Sequence, residues 1–426
     1  MKMAKHTDLL ASVDLGSSQI VATAAARRGS GFEIIGVGKT AAAGIECGIL
    51  TDIGAASSAL ASSLREAELQ AQTQLSGVPI IVGVPGAMIG GQDEQAPVKI
   101  QGGTVTQGDV DLALDTLQAY PIPADREILH VLQQSLSIAK RTNVRQPLGM
   151  TGNLLLAEAH IVTAQINQLA NIHSCLGSVG MKAHKIAAAP LASSLSATSE
   201  DERDLGVIVL DWGGGTCDIS IFSQGVPRWF SSLPIGGGKI DLDIARTFRI
   251  SVSESERIKR QIGSAVQVPQ SIDKRMQVTM INGEGKIDID AQTLSMTIES
   301  RVDEMLQQIG DAVDSFFSDR YGEEAAKKWR SDGEIGAGIV MTGGVANLSG
   351  IGELAHEHLG LPARISAPRY AGAMHEEIAA AEFSVAHGLL MLLGAAAPGS
   401  KVAAAGRRSS MLARFCAAFL PRRQSP

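Results

Sequence analysis

The chain has 426 residues, of which 45% are hydrophobic, 19% charged and 4% aromatic, and its formal net charge is −7 at pH 7. This length exceeds what one ordinary hydrophobic core holds, so two or more domains are expected. The acidic balance, without a domain-sized basic stripe, argues against a nucleic-acid-binding protein. The four cysteines are scattered without a CxxC pair, which argues against a disulfide framework or structural zinc and indicates a reducing cytoplasm.

A secretory leader and membrane-spanning segments are not expected. The N-terminal stretch contains no apolar h-region before Asp14. The longest apolar run, "LLMLLGAAA", is about half the length that a membrane-spanning helix needs. Whether the protein lies on a membrane surface depends on its C-terminal segment.

Strand-like and helix-like segments alternate along the chain, which favours an α/β fold. Short strands over 9–15, 19–26 and 32–38 are separated by small-residue turns and predict a meander of hairpins. The helical stretch that follows has Thr51 or Asp52 as its N-cap. An apolar strand, "PIIVGVPG", completes this first part.

Residues 83–163 read as an inserted subdomain, because a turn, a capped helix and mostly strand-like segments follow one another there. An amphipathic helix then ends near Gly180, and the second half of the chain repeats the plan of the first. In that half we expect a helix over "SVSESERIKRQIG", a polar sheet-like segment over about 265–298 and a long helix over 301–329.

Two stretches, "SVDLGSSQIVATAA" and "VLDWGGGTCDISIF", share one outline although they lie about half a chain apart. Each runs from an apolar strand through an aspartate, a glycine and two small residues into a second strand. Small residues in such a turn let backbone N–H groups point at phosphate oxygens. Asp14 and Asp211 at the strand ends would hold Mg²⁺ through water. The pair predicts duplicated lobes that clamp a triphosphate, although either turn alone could equally be an ordinary tight turn.

A third stretch, "IVMTGGVANLSGI", is a buried strand followed by Gly343, Gly344 and the expected N-terminus of a helix. That arrangement would let a base or ribose lie against bare backbone. By itself this pattern is weak evidence, but it is the third member of an ordered set.

Two phosphate hairpins followed by an adenosine turn are the signature of the actin-like ATPase superfamily. Within it the chain resembles the FtsA family of bacterial cell-division proteins over nearly its whole length, in stretches such as "GMTGNLLLAEAHIVTA" and "SERIKRQIG". The insertion over 83–163 falls where FtsA proteins carry subdomain 1C, whereas actin and MreB carry subdomain 1B earlier. The resemblance implies two duplicated lobes around a nucleotide cleft, the inserted subdomain 1C and a C-terminal amphipathic helix.

The resemblance also implies a division of the chain into subdomains. The expected segments are 1–82 (subdomain 1A, first phosphate loop), 83–163 (1C), 164–204 (1A), 205–235 (2A, second phosphate loop), 236–310 (2B), 311–368 (2A, adenosine motif), 369–396 (return to 1A), 397–408 (flexible linker) and 409–423 (membrane-targeting helix).

ATP and Mg²⁺ are the cofactors that the resemblance implies. The expected nucleotide-binding residues are Asp14, Gly16, Ser17, Ser18, Asp211, Gly213, Gly214, Gly215, Thr216, Gly237, Glu256, Lys259, Gly343 and Gly344. Without the resemblance, Glu256 and Lys259 would be interpreted as an exposed helical ion pair.

One departure from the superfamily concerns ATP hydrolysis. MreB-like proteins carry glutamates before a proline, one of which positions the attacking water, but here Ala188 and Ala189 precede Pro190. Alanine cannot orient water, and orienting it is a large part of phosphoryl transfer. We therefore expect ATP binding with at most weak ATPase activity.

The C-terminal stretch "RSSMLARFCAAFL" places apolar side chains on one face if it is helical, with arginines opposite and at both ends. This predicts an interfacial amphipathic helix on an Ala/Gly/Pro linker, with a helix docked on the body or on a partner as the alternative. The residues expected at an anionic membrane are Met411, Leu412, Phe415, Phe419, Leu420, Arg407, Arg408, Arg414, Arg422 and Arg423.

The function implied by the resemblance is an adaptor that tethers the FtsZ ring to the cytoplasmic membrane at the septum and helps assemble the divisome. The FtsZ C-terminal peptide is expected on the small subdomain of the second lobe, around 235–310, where Arg301 is either a peptide contact or a structural ion pair. Self-association into filaments through 83–163 and contacts with other divisome proteins are also implied. A sugar-kinase-like phosphotransferase and a PilM-type pilus-assembly adaptor are the alternatives on this fold.

Overall fold

The computed structural model of the protein describes residues 8–395 except 30, 140, 143, 145, 270, 282, 284, 332 and 370–374. The predicted linker 397–408 and the predicted amphipathic helix 409–423, with every residue expected at the membrane from Arg407 to Arg423, lie outside the described residues. Among the helices that are described, none combines the length and the apolar character needed to cross a bilayer.

The first lobe begins with the predicted meander and its capped helix. Its elements are β1 (Leu9–Leu15), β2 (Gln19–Arg28), β3 (Gly31–Ala41), β4 (Ile45–Glu46), β5 (Ile49–Leu50), α1 (Ile53–Ala71) and β6 (Ile80–Val84). The N-cap of α1 is Asp52, whose side chain accepts a hydrogen bond from the backbone N–H of Ala55, one of the two predicted caps.

The inserted segment forms a sheet of its own with a covering helix. After a 3₁₀ turn over Gly86–Met88 it contains β7 (Ile89–Lys99), α2 (Gln107–Gln118), β8 (Arg126–Ile138) and β9 (Leu154–Gln165). The strand order is β7–β9–β8, and α2 closes a separate hydrophobic core against the sheet. Thr106 and Asp109 cap α2 reciprocally.

The second lobe repeats the antiparallel meander of the first. The chain enters it through α3 (Ile166–Ser178), β10 (Lys185–Ala188), α4 (Ala189–Ala197) and α5 (Glu200–Leu205). Its elements are β11 (Val207–Trp212), β12 (Cys217–Ser223), β13 (Val226–Leu233), α6 (Gly237–Phe248), α7 (Val252–Ile262), β14 (Arg275–Thr279), β15 (Lys286–Asp290), α8 (Ala291–Tyr321), α9 (Glu323–Lys328), β16 (Ile339–Thr342), α10 (Ile351–Leu359) and β17 (Ala363–Ile365). The chain returns to the first lobe through α11 (His375–Ile378) and α12 (Ser384–Ala395).

The two main sheets have the same topology. Their strand orders are β10–β6–β1–β2–β3 and β13–β12–β11–β16–β17. In each sheet the first strand pairs antiparallel with the second and parallel with the fourth, and the fourth pairs parallel with the fifth. The duplication predicted from the two glycine hairpins is therefore confirmed.

Three apolar layers pack on the two sheets, and one of them joins the sheets to each other. One lies on the outer face of the first sheet and one on the outer face of the second. The third lies between the sheets and contains α4, α12 and residues of both lobes, among them Leu10, Val209 and Val340. This shared layer fixes the relative position of the two hairpin turns at one end of the sheets.

The predicted course of the chain between 265 and 329 is wrong in two places. The helix begins at Ala291, so residues 291–298 are not sheet-like, because Asp290 caps it and Leu294 and Ile298 continue its buried stripe. It ends at Tyr321, where Gly322 adopts φ of 88°, so α9 is a separate helix.

Candidate functional site

The first hairpin turn, between β1 and β2, is held tightly by its own backbone. A Cβ atom on Gly16 would lie 2.7 Å from the carbonyl oxygen of Gln19, which explains the glycine. The hydroxyl of Ser17 accepts a hydrogen bond of 2.8 Å from the N–H of Gly48, in the turn between β4 and β5. This contact fixes one side chain of the predicted phosphate loop.

The second hairpin turn, between β11 and β12, is bound to the start of α6. The N–H of Gly237 donates to the carbonyl of Gly213 at 3.0 Å, and the N–H of Gly238 donates to that of Gly214 at 2.8 Å. The buried indole N–H of Trp212 donates to the carbonyl of Ile235 at 3.0 Å, just before these glycines. Trp212 thus positions the start of α6 beside the turn.

The two hairpin turns contact each other across the lobes. A Cβ atom on Gly214 would lie 2.5 Å from the Cβ of Ser18, and one on Gly215 would lie 2.6 Å from the hydroxyl of Ser17. The structure therefore brings the two predicted phosphate loops together. It also accounts for Gly214 and Gly215 by protein packing, because a side chain at either position would collide with the opposite turn.

Three carboxylates lie behind the turns. Asp218 is buried opposite Asp211 in the β11–β12 register, while Asp211 and Asp14 keep part of their surface accessible. Burial, with the charges of the other two, raises the pKa of Asp14 to about 8. Burial and then the charge of Asp211 raise the pKa of Asp218 to about 7, against hydrogen bonds from Ser232 and Gly86. Burial raises the pKa of Asp211 to about 6.

These carboxylates suit a divalent cation held through water. A neighbouring positive charge favours the ionised form of a carboxyl group whose pKa is raised, and carboxylate oxygens are ligands that Mg²⁺ prefers. In the part of the chain that the structure describes, no three His, Cys, Asp or Glu side chains form a group that could bind a metal directly. Asp14 and Asp211 fit the predicted role of water-mediated Mg²⁺ ligands, which stays a prediction.

The predicted adenosine turn begins beside the second hairpin. Gly343, with φ of 83°, leaves no room for a side chain, since a Cβ atom would lie 2.7 Å from a carboxylate oxygen of Asp211. A Cβ atom on Gly344 would meet nothing within 4 Å. The backbone at Gly344 is therefore open on the side where a Cβ atom would lie. A helix N-terminus does lie at this point, but it is that of a short 3₁₀ helix over Gly344–Asn347, and α10 begins only at Ile351.

Glu256 and Lys259 are neighbours on α7 but do not pair, so the alternative interpretation as an ion pair is wrong. The Lys259 ammonium lies 2.8 Å from a carboxylate oxygen of Asp241 and donates at 3.2 Å to the carbonyl of Gly237. Glu256 pairs with Arg260 at 2.7 Å, one turn along. Lys259 therefore brings a positive charge to the start of α6, next to the second hairpin.

The residues that precede Pro190 offer no carboxylate. Ala188 ends β10 and Ala189 begins α4, and both are buried. The N–H of Ala188 donates to the Nε2 atom of His130, at 2.9 Å. Burial lowers the pKa of His130 to about 3, so the imidazole is a neutral acceptor there.

Arg301 forms intramolecular ion pairs. Its guanidinium contacts Asp243 on α6 and lies 2.5 Å from Glu304 on α8, and the hydrogen bond to Asp243 raises its pKa. Of the two roles expected for Arg301, the structural ion pair is therefore present. A contact with a partner stays a prediction.

Sequence reasoning missed two residues of the site. Asp218 follows the second glycine turn and is the only charge in the buried segment "CDISIF". Asp241 carried no local signal, because its contact with Lys259 joins α6 to α7. The pattern that identifies Asp218 is a charged residue inside an otherwise apolar, buried strand.

Two family models match the chain. The one described as "Cell division protein FtsA" matches residues 208–388, and the one described as "SHS2 domain inserted in FTSA" matches residues 86–163.

Several curated relatives are similar over most of the chain. The cell division protein FtsA of Neisseria meningitidis serogroup B is 31% identical, covering 91% of this chain and 91% of its own length. That of Pseudomonas aeruginosa is 31% identical, covering 90% and 88%. That of Escherichia coli K12 is 30% identical, covering 91% of both.

Solved structures share the fold at low sequence identity. A PilM–PilN type IV pilus biogenesis complex matches with a TM-score of 0.60 at 16% identity, over 90% of this chain and 98% of that one. MreB5 of Spiroplasma citri bound to ADP matches with a TM-score of 0.51 at 16% identity, over 90% and 95%. Together with the duplicated sheets, these matches show the actin-like fold.

Proposed function

Because the chain belongs to the FtsA family of cell division proteins, we propose that it is an ATP-binding adaptor that tethers the FtsZ ring to the cytoplasmic membrane. The observation that carries this proposal is the meeting of two glycine hairpins from lobes of identical topology. A PilM-type adaptor has only the fold in its favour, and no catalytic base or sugar pocket of a sugar kinase is assigned among the described residues.

ATP is proposed to bind between the hairpins with its base toward Gly344. The N–H groups of the two turns would bind the phosphates, and Lys259 would add positive charge from α7. Asp14 and Asp211 would hold Mg²⁺ through water, and the cation would neutralise phosphate charge.

Hydrolysis is proposed to be slow. The segment at Ala188 and Ala189 has no side chain that could orient water, and the imidazole of His130 is occupied by the N–H of Ala188. Titration with Mg-ATP tests binding. Tryptophan fluorescence is the readout, because Trp212 adjoins the second turn. Phosphate release at a sugar-kinase rate would contradict the proposal of slow turnover.

The FtsZ peptide is proposed to dock on the small subdomain of the second lobe, on the face shared by α6 and α8. The exposed apolar side chains Leu242 on α6 and Met296 on α8 lie close in sequence to the ion-paired Asp243 and Arg301. An apolar and acidic peptide could use both features. A cavity of about 380 Å³ between α7 and the β14–β15 hairpin, lined in part by Arg257, Ile281 and Lys286, is the competing surface.

The remaining roles follow from the family and from the C-terminal sequence. The subdomain boundaries are proposed as the sequence predicts them. Residues 83–163 are proposed to contact the next subunit in filaments. The segment 409–423 would place the protein peripherally on the cytoplasmic face of the membrane at the septum. Other divisome proteins would bind the assembled form.

A further inference from the structure

The start of the predicted adenosine turn, residues 343–347, is bound to the segment that brings the chain back to the first lobe. This return segment, 380–386, contains a short 3₁₀ helix and the first residues of α12. The N–H of Gly343 donates to the carbonyl of Ala381 at 3.2 Å, and the hydroxyl of Thr342 donates to the same carbonyl at 3.0 Å. The return segment therefore holds the point where β16 enters the turn.

The return segment is in turn attached to the first lobe. The carbonyl of Ser384 accepts a hydrogen bond of 2.6 Å from the hydroxyl of Ser196 on α4. The carbonyl of Ala386 accepts one of 2.9 Å from the hydroxyl of Ser12 on β1. All three serines are buried, and α12 packs in the apolar layer that joins the two sheets. The return segment is thus fixed to the strand that enters the first hairpin turn.

Glu382 holds the other end of the adenosine turn. One of its carboxylate oxygens accepts a hydrogen bond of 3.1 Å from the side-chain amide of Asn347, the last residue of the 3₁₀ helix over Gly344–Asn347. Its other carboxylate oxygen contacts the ammonium of Lys39 on β3, the edge strand of the first sheet. That ammonium also lies over the ring of Phe383, 5.5 Å from the ring centroid. One carboxylate therefore links a turn of the second lobe to the return segment and to β3.

The turn between these two attachments is open only in part. Val345 and Ala346 are buried in the core of the second lobe, whereas Gly344 and Asn347 are exposed. The open backbone at Gly344 thus lies between two ends that are both held from outside the second lobe. The side chain of Glu382 is only 16% exposed, so solvent screens its contacts less than those of an ordinary surface ion pair.

We propose that Glu382 is a positioning residue for the base of the nucleotide, because it ties the far end of the adenosine turn to the first lobe through Lys39. This inference rests on the proposed nucleotide site and deepens it. The carboxylate acts through Asn347 on the turn whose backbone at Gly344 would face the base. Binding of a nucleoside triphosphate should depend on this tie. Binding of a bare triphosphate should not, since the two phosphate hairpins are held by their own contacts.

Equilibrium titrations of the full chain with Mg-ATP and with Mg-tripolyphosphate test the tie. In Glu382→Ala the affinity for Mg-ATP should fall about tenfold, which is ~1.4 kcal/mol, while the affinity for Mg-tripolyphosphate should stay within about twofold of the parent value. Glu33→Ala removes another ion-paired carboxylate of the first sheet, on the same strand β3, and should keep both affinities. A loss that is equal for both ligands would mean that Glu382 only supports the fold.

Lys39 provides a second variant that leaves the contact between Glu382 and Asn347 in place. Lys39→Ala removes the tie to β3 and should weaken Mg-ATP about threefold. Because Lys39 acts through Glu382, the double variant should bind Mg-ATP no more weakly than Glu382→Ala alone. This cycle uses Mg-ATP alone, so it decides the question even where tripolyphosphate binds too weakly to titrate.

The parent chain separates this inference from the proposed function. If the parent chain does not bind Mg-ATP, the nucleotide site is wrong. If it binds Mg-ATP and Glu382→Ala keeps the parent affinity, the role of Glu382 is wrong and the nucleotide site stands. Losses that add fully in the double variant, or an unchanged affinity in Lys39→Ala, would contradict the tie to the first lobe.

Discussion

The three clustered carboxylates set how stability depends on pH. Their pKa values in the folded protein, about 8, 7 and 6 for Asp14, Asp218 and Asp211, exceed the ordinary value of 3.8. The folded state therefore binds more protons than the unfolded state between these values. Stability contributed by this cluster is complete below about pH 4 and falls as pH rises through the folded pKa values.

Raising the pH from 7 to 8, above the ordinary pKa of histidine, without nucleotide should lower Tm, on the scale of about 2–4 °C per ~1 kcal/mol for a large domain. Asp14→Asn should flatten this dependence, because it removes the group with the highest pKa. Asp273→Asn, at an exposed carboxylate, is the matched control and should keep the parent slope. Differential scanning calorimetry measures both, and a Tm that rises over this range in the parent chain would refute the assignment.

Gly214 is the residue on which the phosphate loop most directly depends. A valine there would collide with Ser18 and cover the N–H groups of the turn. ATP affinity in Gly214→Val should fall at least about 100-fold, measured by equilibrium titration. Gly285→Val, where a Cβ atom would meet nothing within 4 Å, is the control. Unchanged affinity in the Gly214 variant would mean that the loop has been misread.

At the scale of elements, charge reversal distinguishes the two candidate sites for the FtsZ peptide on the small subdomain of the second lobe. These sites are the α6–α8 face and the cavity between α7 and the β14–β15 hairpin. Arg301→Glu on α8 should weaken binding of a labelled FtsZ peptide about tenfold, because it reverses the charge on the α6–α8 face. Lys286→Glu, at the cavity beside α7, should leave the affinity unchanged. The reverse pattern in fluorescence anisotropy would move the peptide to that cavity.

Elements whose signals are local could be predicted from the sequence, and contacts between elements could not. The first three strands follow from short strand-like runs separated by small-residue turns, and the cap of α1 is one of the two adjacent candidates, Thr51 and Asp52; both signals lie within a few residues. The start of α8 was misplaced because its first turns carry polar residues that resemble the preceding hairpin. The partner of Lys259 lies on α6, 18 residues away, and no local pattern reports it.

At the scale of the whole molecule, the duplicated lobes could be predicted because both hairpins carry the same glycine outline. The contact of Gly86 with Asp218 could not, since it joins residues 132 positions apart and depends on how the two sheets pack. The same packing decides that Gly214 and Gly215 meet the opposite turn. The proposed ligand site depends on those inter-lobe contacts, because it lies between two separately built sheets.

The proposed attachment to the membrane depends on the C-terminal segment and can be tested separately from ATP binding. Phe415→Glu puts a charge at the centre of the predicted apolar face and should abolish pelleting with anionic vesicles, while ATP binding and Tm stay at parent values. Arg414→Ala, on the opposite face, is the matched variant and should weaken pelleting modestly, since one basic residue near such a surface contributes about 1 kcal/mol. Pelleting lost in Arg414→Ala and kept in Phe415→Glu would contradict an amphipathic helix.

Co-sedimentation of FtsZ with vesicles that contain anionic phospholipid tests the adaptor most directly. FtsZ is incubated with Mg-ATP and vesicles, alone, with the full chain, or with its Phe415→Glu variant. We predict that FtsZ enters the vesicle pellet only with the full chain. If the full chain pellets with the vesicles and FtsZ stays in the supernatant, the protein is not the proposed tether.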